Sequence, residues 1–258
     1  MRRLCVVGDS HVGALKLAFE RKSDPALGWH VDFFGAAHDG IGRVALSGGT
    51  LFATEETVRE AFLATSGGTE GIDVAAYDGF LVVSGGLSFG ILVRRICSTH
   101  LPAALGDRER FPISLPCLEA CLMQSMDRGA AMRVSRLVRS VSAVPVLFVP
   151  APRPAAAIRD HPDPDVRNIM AAPVLGFLRP AYDRVLHTLS EAAGIGVLAQ
   201  PPETVEDLYY TRDRYRENGV NVRGRRKDPR TNYGHMNGDY GALVLAAAIQ
   251  ALEAGLIR

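Results

Sequence analysis

Short, uninterrupted apolar runs punctuate this chain, and most are closed by glycine or proline. Leu4-Cys5-Val6-Val7 ends at Gly8, and His30 to Phe34 ends at Gly35. Phe80-Leu81-Val82-Val83 lies between Asp78-Gly79 and Ser84-Gly85-Gly86, and Pro145 to Val149 is stopped by Pro150. Val197-Leu198-Ala199 is a fifth, shorter run. Runs this short and this apolar predict strands buried on both faces, as in a parallel sheet. Between them, apolar residues recur at helical spacing. Val12, Leu15, Leu17 and Ala18 predict a helix up to Glu20. Thr54 to Ala64 predicts another, with Glu55 and Glu56 near its start, where acidic groups complement the helix dipole. Longer helices are expected from about Leu118 to Val141, from Ala181 to Ala193 before Gly194, and from Gly241 to Ile257. Ala36 to Thr50 is rich in Gly and Ala and is expected to form a loop, as is the basic stretch Arg212 to Arg230. Residues 101–115 are expected to be irregular.

Strands alternating with helices imply right-handed crossovers and a parallel sheet covered on both faces. The expected fold is therefore α/β: a three-layer α/β/α sandwich around a parallel sheet of about five strands, flavodoxin-like in order. No internal repeat or low-complexity linker divides the chain, so 1–258 is expected to form a single domain.

Composition narrows the partners. Of 258 residues, 47% are hydrophobic and 22% charged, which suits a globular protein with one sizeable core. Lys and Arg total 29 against 28 Asp and Glu, a net charge of +1. That balance argues against nucleic acid or an anionic membrane as the main partner. No stretch reaches the ~18 uninterrupted apolar residues of a membrane span. Met1-Arg2-Arg3 resembles a signal-peptide start only faintly, since Asp9, Ser10 and His11 interrupt the apolar run that follows. The expected location is cytoplasmic. Cys5, Cys97, Cys117 and Cys121 are expected to be reduced and mostly buried. No His stands at metal-ligand spacing beside Cys117 and Cys121, so no metal and no cofactor is expected. The sequence sets no oligomeric state.

The chemistry concentrates at the two ends. Gly8-Asp9-Ser10-His11 follows the first strand, where a strand-to-helix turn lifts a serine hydroxyl over the sheet edge and aims helix N–H groups at the same point. The competing reading is that Asp9 or Ser10 merely caps the following helix. Asn232-Tyr233-Gly234-His235-Met236-Asn237 precedes the last helix, and a histidine on such a loop can serve as base to a serine.

Gly8-Asp9-Ser10 near one terminus and a histidine before the last helix resemble the SGNH, or GDSL-type, hydrolase family. The resemblance implies Ser10 as nucleophile, His235 as general base, and the Ser10 backbone N–H as an oxyanion donor. It implies a carboxylic ester hydrolase acting on a small-molecule or glycan ester, such as a carbohydrate O-acetylesterase. The sequence departs from the family pattern at three places. Asn232 stands where the family has Asp, leaving Asn232, Asp228, Asp239 or a backbone carbonyl to orient the base. Gly86 and Ser88 fall where the family has Gly-x-Asn, so Ser88 would donate in place of the Asn. Gly40 is the nearest glycine for the second block. Asp9 and His11 are assigned to oxyanion or substrate binding, His11 on the pocket rim with helix-start packing as its other reading.

Other residues have two readings. His38 and Asp39 are near the same edge, as substrate contacts or as plain loop. Asn237 and Tyr240 are read as helix-start residues. Arg223-Gly224-Arg225-Arg226-Lys227 is a solvated charge run or a device for recruiting an anionic substrate. Two other functions use the same framework: an O-acyltransferase acting on a glycan, and a binding protein on a catalytically decayed hydrolase fold. A nucleotide-binding domain is disfavoured by the lack of a Gly-x-Gly-x-x-Gly or Gly-Lys-Ser/Thr pattern.

Overall fold

A computed structural model describes residues 1–21, 28–105 and 110–255. Along the chain lie β1 (Arg2–Gly8), α1 (Val12–Glu20), β2 (Trp29–Gly35), β3 (Val44–Ser47), β4 (Thr50–Ala53), α2 (Glu56–Ser66), β5 (Gly71–Asp73) and β6 (Gly79–Val83). There follow α3 (Phe89–Cys97), β7 (His100–Pro102), β8 (Phe111–Ile113), α4 (Leu115–Asp127), α5 (Ala130–Arg139) and β9 (Val146–Val149). The last part holds α6 (Pro164–Ile169), α7 (Ala172–Ala193), β10 (Gly196–Val197), β11 (Val205–Glu206), β12 (Tyr210–Thr211) and α8 (Gly238–Glu253).

The main sheet has five parallel strands in the order β10-β9-β6-β1-β2, which is the flavodoxin-like order. Each apolar run divides its side chains by alternation. Leu4, Val6, Leu81, Val83, Leu147 and Val149 enter one core, under α1 and α8. Cys5, Val7, Phe80, Val82, Val146 and Phe148 enter the other, under α2, α4, α5 and α7. Burial of one such Val, Leu or Phe stabilises the fold by roughly 1.5–3 kcal/mol, so two continuous apolar faces hold three layers together.

The order has a consequence for function. The chain leaves β1 through α1 to reach β2 on one side, then reverses to add β6 on the other. Right-handed crossovers force α1 onto one face and the helices after β2 onto the opposite face. A crevice therefore opens beyond the carboxyl ends of β1 and β6. The register brings those ends level: Gly8 lies beside both Gly35 and Val83, and Val83 lies beside Val149.

Several expectations from the sequence are corrected. The 36–50 segment is no plain loop: β3 and β4 form an antiparallel hairpin that β5 extends to three strands. Its two turn residues, Gly48 and Gly49, both have positive φ (56° and 83°), as tight two-residue hairpins require. The expected helix from Leu118 to Val141 is two helices, because Gly129 adopts an extended conformation (φ −63°, ψ 148°) and restarts the chain as a new cap. The Ala181–Ala193 helix begins earlier, at Ala172, and runs through Pro180. Burial of Leu175, Leu178, Ala181 and Tyr182 outweighs the hydrogen bond that a proline removes. Residues 101–115 contain the end of β7 and the whole of β8, two short strands paired in parallel. The closing helix starts at Gly238 on an Asn237 cap, whose side chain accepts from the Tyr240 N–H; the end expected at Ile257 lies outside the described residues. All four cysteines are free, with Cys5 and Cys97 buried but Cys117 and Cys121 exposed on α4. Among the described residues, no helix is long and apolar enough to cross a membrane.

Candidate active site

Ser10 sits in the turn between β1 and α1, and His235 on the loop before α8. Their side chains meet: His235 Nε2 lies 2.9 Å from Ser10 Oγ. The Ser10 hydroxyl is not a helix cap, for α1 has no side-chain cap at its N-terminus. Among the described residues no group accepts from the Ser10 N–H, which leaves it pointing from the helix start as a donor.

Asp9 turns inward and is buried at 7% exposure. Its Oδ1 accepts from the His11 N–H (3.0 Å) and lies 2.7 Å from His11 Nδ1, while its Oδ2 accepts from Ser84 Oγ at 2.7 Å. Ser84 was not singled out in the sequence. It is buried, has a positive φ of 59°, and begins the turn after β6. The Asp9–Ser84 bond thus ties together the two strand ends that flank the crevice. The signal for it was present: a non-glycine residue ahead of Gly85-Gly86 at a strand end, where a strained backbone marks a functional turn.

Charge is arranged around this pair. Burial alone would raise the Asp9 carboxyl, but the His11 charge and the hydrogen bonds from His11 and Ser84 hold it below the ordinary carboxylate range. Burial alone would lower His11, but Asp9 and a hydrogen bond to the Gly234 backbone raise it above the ordinary imidazole value. Both ring nitrogens of His11 thus face acceptors, Asp9 Oδ1 and the Gly234 backbone, an arrangement that favours the protonated ring opposite the Asp9 carboxylate. The His11 ring stacks on the His235 ring, 5.2 Å between centroids and 3° between planes. Burial first, and then the charges of His11 and Lys227, push His235 down to about 4. At neutral pH His235 is uncharged and holds a lone pair for the Ser10 proton.

Asn232 is brought to His235 but not to its ring. Its Oδ1 accepts from the His235 N–H at 2.8 Å, and its Nδ2 donates to the His235 carbonyl at 2.7 Å and to the Arg216 carbonyl at 3.2 Å. Asn232 is a clamp on the main chain. Asp228 is engaged by Arg230 at 2.7 Å, and Asp239 is exposed at the start of α8, 4.0 Å from Arg21. Among the described residues no carboxylate stands behind the His235 ring, so the contact is a Ser–His pair flanked by the stacked His11 ring.

The three expected oxyanion residues are placed differently from one another. Gly40 lines the same cavity as Ser10, but its N–H is donated to the Ala37 carbonyl at 3.0 Å. Ser88 caps α3 with its hydroxyl, which accepts from the Ile91 N–H. Gly86 is exposed in the turn after β6. Family spacing pointed to all three; a turn hydrogen bond occupies the Gly40 N–H, whereas the Ser88 cap uses an oxygen lone pair and leaves its O–H a donor in the cavity lined by His11 and His235.

Two cavities meet at the dyad. A wide one of about 670 Å³ is lined by Ser10, His38, Asp39 and Gly40 on one side and by Asn221, Arg223, Arg225 and Lys227 on the other. A narrower one of about 350 Å³ is lined by Pro152, Pro154, Ile158, Met170 and Tyr233. His11, Ile91, Lys227 and His235 line both. Among the described residues no group of His, Cys, Asp or Glu is placed to hold a metal ion.

No protein-family model matches this chain, and no curated protein sequence matches it. Three solved structures resemble it over nearly their full lengths. One is a lipase/acylhydrolase from Enterococcus faecalis, 12% identical, TM-score 0.43, with 100% of this chain and 98% of that one covered. Another is a mutant of an acetyl-xylooligosaccharide esterase from Geobacillus, 12% identical, TM-score 0.39, covering 100% and 96%. A protein from Lactobacillus plantarum is 13% identical, TM-score 0.38, covering 98% and 97%.

Proposed function

We propose that the protein is a serine ester hydrolase of the SGNH type, working through a covalent acyl-enzyme on Ser10. The observation that carries this is the 2.9 Å contact between His235 Nε2 and Ser10 Oγ, formed at the crevice where this strand order places ligands. Ser10 Oγ attacks the ester carbonyl carbon as His235 Nε2 takes its proton. The tetrahedral intermediate collapses, the acyl C–O bond breaks, and His235 returns the proton to the departing alcohol. Water, deprotonated by His235, then attacks the acyl carbon, the bond to Ser10 Oγ breaks, and His235 returns the proton to Oγ as the carboxylic acid leaves. The Ser10 N–H at the start of α1 faces the developing oxyanion; such a donor is worth roughly 10²–10³ in rate.

An active-site-directed fluorophosphonate tests the reading. Mass spectrometry of the digested protein is expected to find the adduct on Ser10, absent in Ser10→Ala and much slower in His235→Gln, with both variants retaining the wild-type circular dichroism. A wild-type protein that takes up no label under prolonged excess reagent sinks the proposal. Acetate release from an acetylated sugar in water, with no acceptor added, assigns hydrolysis; release only with a sugar acceptor assigns transfer.

A further inference from the structure

We propose that the natural ester carries a carboxylate or phosphate on its alcohol portion, held in the wide cavity by Arg223, Arg225 and Lys227. This rests on the serine-hydrolase reading and names its substrate class.

Those three side chains line the cavity that contains Ser10. Arg43 lines it too, but is taken up by Glu55 and by Asp39 at 3.8 Å. No carboxylate among the described residues pairs with Arg223, Arg225 or Lys227. The carboxylates that also line the cavity are engaged, Asp9 by His11 and Asp39 and Glu55 by Arg43, so the three remaining cations focus a positive potential that draws in an anion. Lys227 reaches furthest, lining both cavities and adding its charge to the field on His235.

A solvated charge run needs no fixed backbone, and this one has a fixed backbone. Asn221 Oδ1 accepts from the N–H of Arg223 (3.0 Å) and of Arg225 (3.1 Å). The Asn221 N–H donates to the Arg225 carbonyl at 3.0 Å, the Gly224 N–H to the Asn221 carbonyl at 2.8 Å, and the Lys227 N–H to the Gly219 carbonyl at 2.8 Å. Val222, 6% exposed, anchors the turn. The anchoring is close enough to demand glycine beneath it. A Cβ on Gly13 of α1 would stand 2.2 Å from the Asn221 carbonyl oxygen, and one on Gly35 of β2 would stand 2.2 Å from Val222 Cγ2. The basic turn is thus seated on α1 and on the end of β2, beside the crevice. Its cations have main-chain positions set before a ligand arrives, which lowers the ordering cost of binding.

The two cavities divide the substrate. Pro152, Pro154, Ile158 and Met170 give the narrow cleft apolar walls suited to an acyl group; Arg94 and Lys227 line it too, but the neighbouring pair Arg223 and Arg225 lines only the wide cavity. The wide one has room for a sugar-sized alcohol and presents guanidinium groups, which bind carboxylate and phosphate through paired N–H donors. Hydrolysis then yields a neutral-chain carboxylic acid and an anionic alcohol.

The test compares kcat/KM for acetylated glucose, for acetylated glucuronic acid and for an acetylated sugar phosphate. At least one anionic ester is expected to exceed the neutral one by about tenfold or more at low ionic strength, the advantage shrinking in ~0.5 M salt as screening shortens; the better of the two identifies the charged group. Moving the charge to the acyl arm, nitrophenyl hemisuccinate against nitrophenyl acetate, is expected to bring no gain. In Arg223→Gln/Arg225→Gln the anionic-to-neutral ratio, taken within the variant, is expected to fall toward one. Equal rates in the wild type, or an unchanged ratio in the double variant, overturns the proposal. Calorimetry on Ser10→Ala reads binding apart from turnover: tighter binding of an anionic ester supports the proposal, and equal affinity overturns it. Failure of Ser10 to react with the fluorophosphonate counts only against the hydrolase reading.

Discussion

His11 and His235 lie ring on ring, 5.2 Å apart and within 3° of parallel, with Asp9 bonded to the edge of the His11 ring. A catalytic histidine ordinarily has a carboxylate behind it, which raises its basicity. Here the carboxylate bonds the neighbouring ring instead, and the group facing His235 is the His11 imidazole, whose affinity for a proton Asp9 raises.

The arrangement sets the pH profile. The base must be neutral, so the rate of Ser10 labelling is expected to rise with pH through the His235 value of about 4 and to be near its plateau by pH 6. Replacing the stacked ring, as in His11→Asn, removes one of the causes that hold His235 down. Burial and Lys227 still face it, so the inflection is expected to move up only part of the way toward an ordinary imidazole. At pH 5 the variant then labels at a smaller fraction of its own plateau than the wild type does. An inflection that stays near 4 in His11→Asn assigns the depression to burial and Lys227 alone.

Restoring a carboxylate at position 232 is not expected to rebuild a triad. Asn232 donates to two carbonyls and accepts from one N–H. In Asn232→Asp the donors vanish, and the carboxylate faces the carbonyl oxygens of His235 and Arg216. Asn232→Ala loses all three bonds at a cost of about 2–4 kcal/mol, read as a melting temperature lower by about 2–4 °C per kcal/mol for a chain of this size. Asn232→Asp is expected to lose at least as much stability and to label more slowly. A faster, equally stable Asn232→Asp would mean that position 232 faces the ring.

How much of this was legible depends on distance along the chain. The five strands, their parallel order and the turn at Ser10 follow from local patterns, and so does the loop that carries His235. The 44–53 hairpin was equally local, but its Gly-Gly turn was absorbed into a glycine-rich stretch and passed for loop. The break at Gly129 and the passage of α7 through Pro180 depend on what each helix packs against, which no window of sequence contains. The site divides in the same way. Ser10 and His235 are marked by their positions after the first strand and before the last helix. The Asp9–Ser84 tie spans 75 residues and exists only because β1 and β6 are neighbours. Family spacing was a poor guide to Asn232 and Gly40, because it fixes where a residue falls in the chain and not which hydrogen bond its side chain or amide makes.

The Asp9–Ser84 tie has its own expected signature. Ser84→Ala leaves Asp9 Oδ2 buried without a donor, at a cost of roughly 1–3 kcal/mol. Since the Asp9 carboxyl is held below its ordinary value, its share of stability is present above the unfolded value of 3.8 and is lost as pH falls through the folded one. Removing the Ser84 donor weakens that hold. The gap in melting temperature between wild type and Ser84→Ala is therefore expected to be widest at neutral pH and to narrow on acidification toward pH 3. A gap independent of pH would assign the loss to the strained turn rather than to the carboxylate.

The seating of the basic turn is tested at Gly13. An alanine there must displace the Asn221 carbonyl, since the added Cβ would fall 2.2 Å from it. That carbonyl also accepts from Gly224, so pushing it away disturbs the turn that carries Arg223 and Arg225. Gly79→Ala is the matched control, because its Cβ would meet only the Leu252 and Leu4 side chains at 3.5–3.6 Å, an ordinary contact. Gly13→Ala is expected to lower the melting temperature by several degrees, in line with overpacking costs of about 1–3 kcal/mol, while Gly79→Ala changes it little. The more telling readout is selectivity. If the fixed turn is what presents the cations, Gly13→Ala is expected to lose most of the anionic-to-neutral ratio in kcat/KM, whereas Gly79→Ala keeps it. A Gly13→Ala protein that melts lower yet discriminates as well as the wild type would show that the arginines find the anion without help from the backbone beneath them.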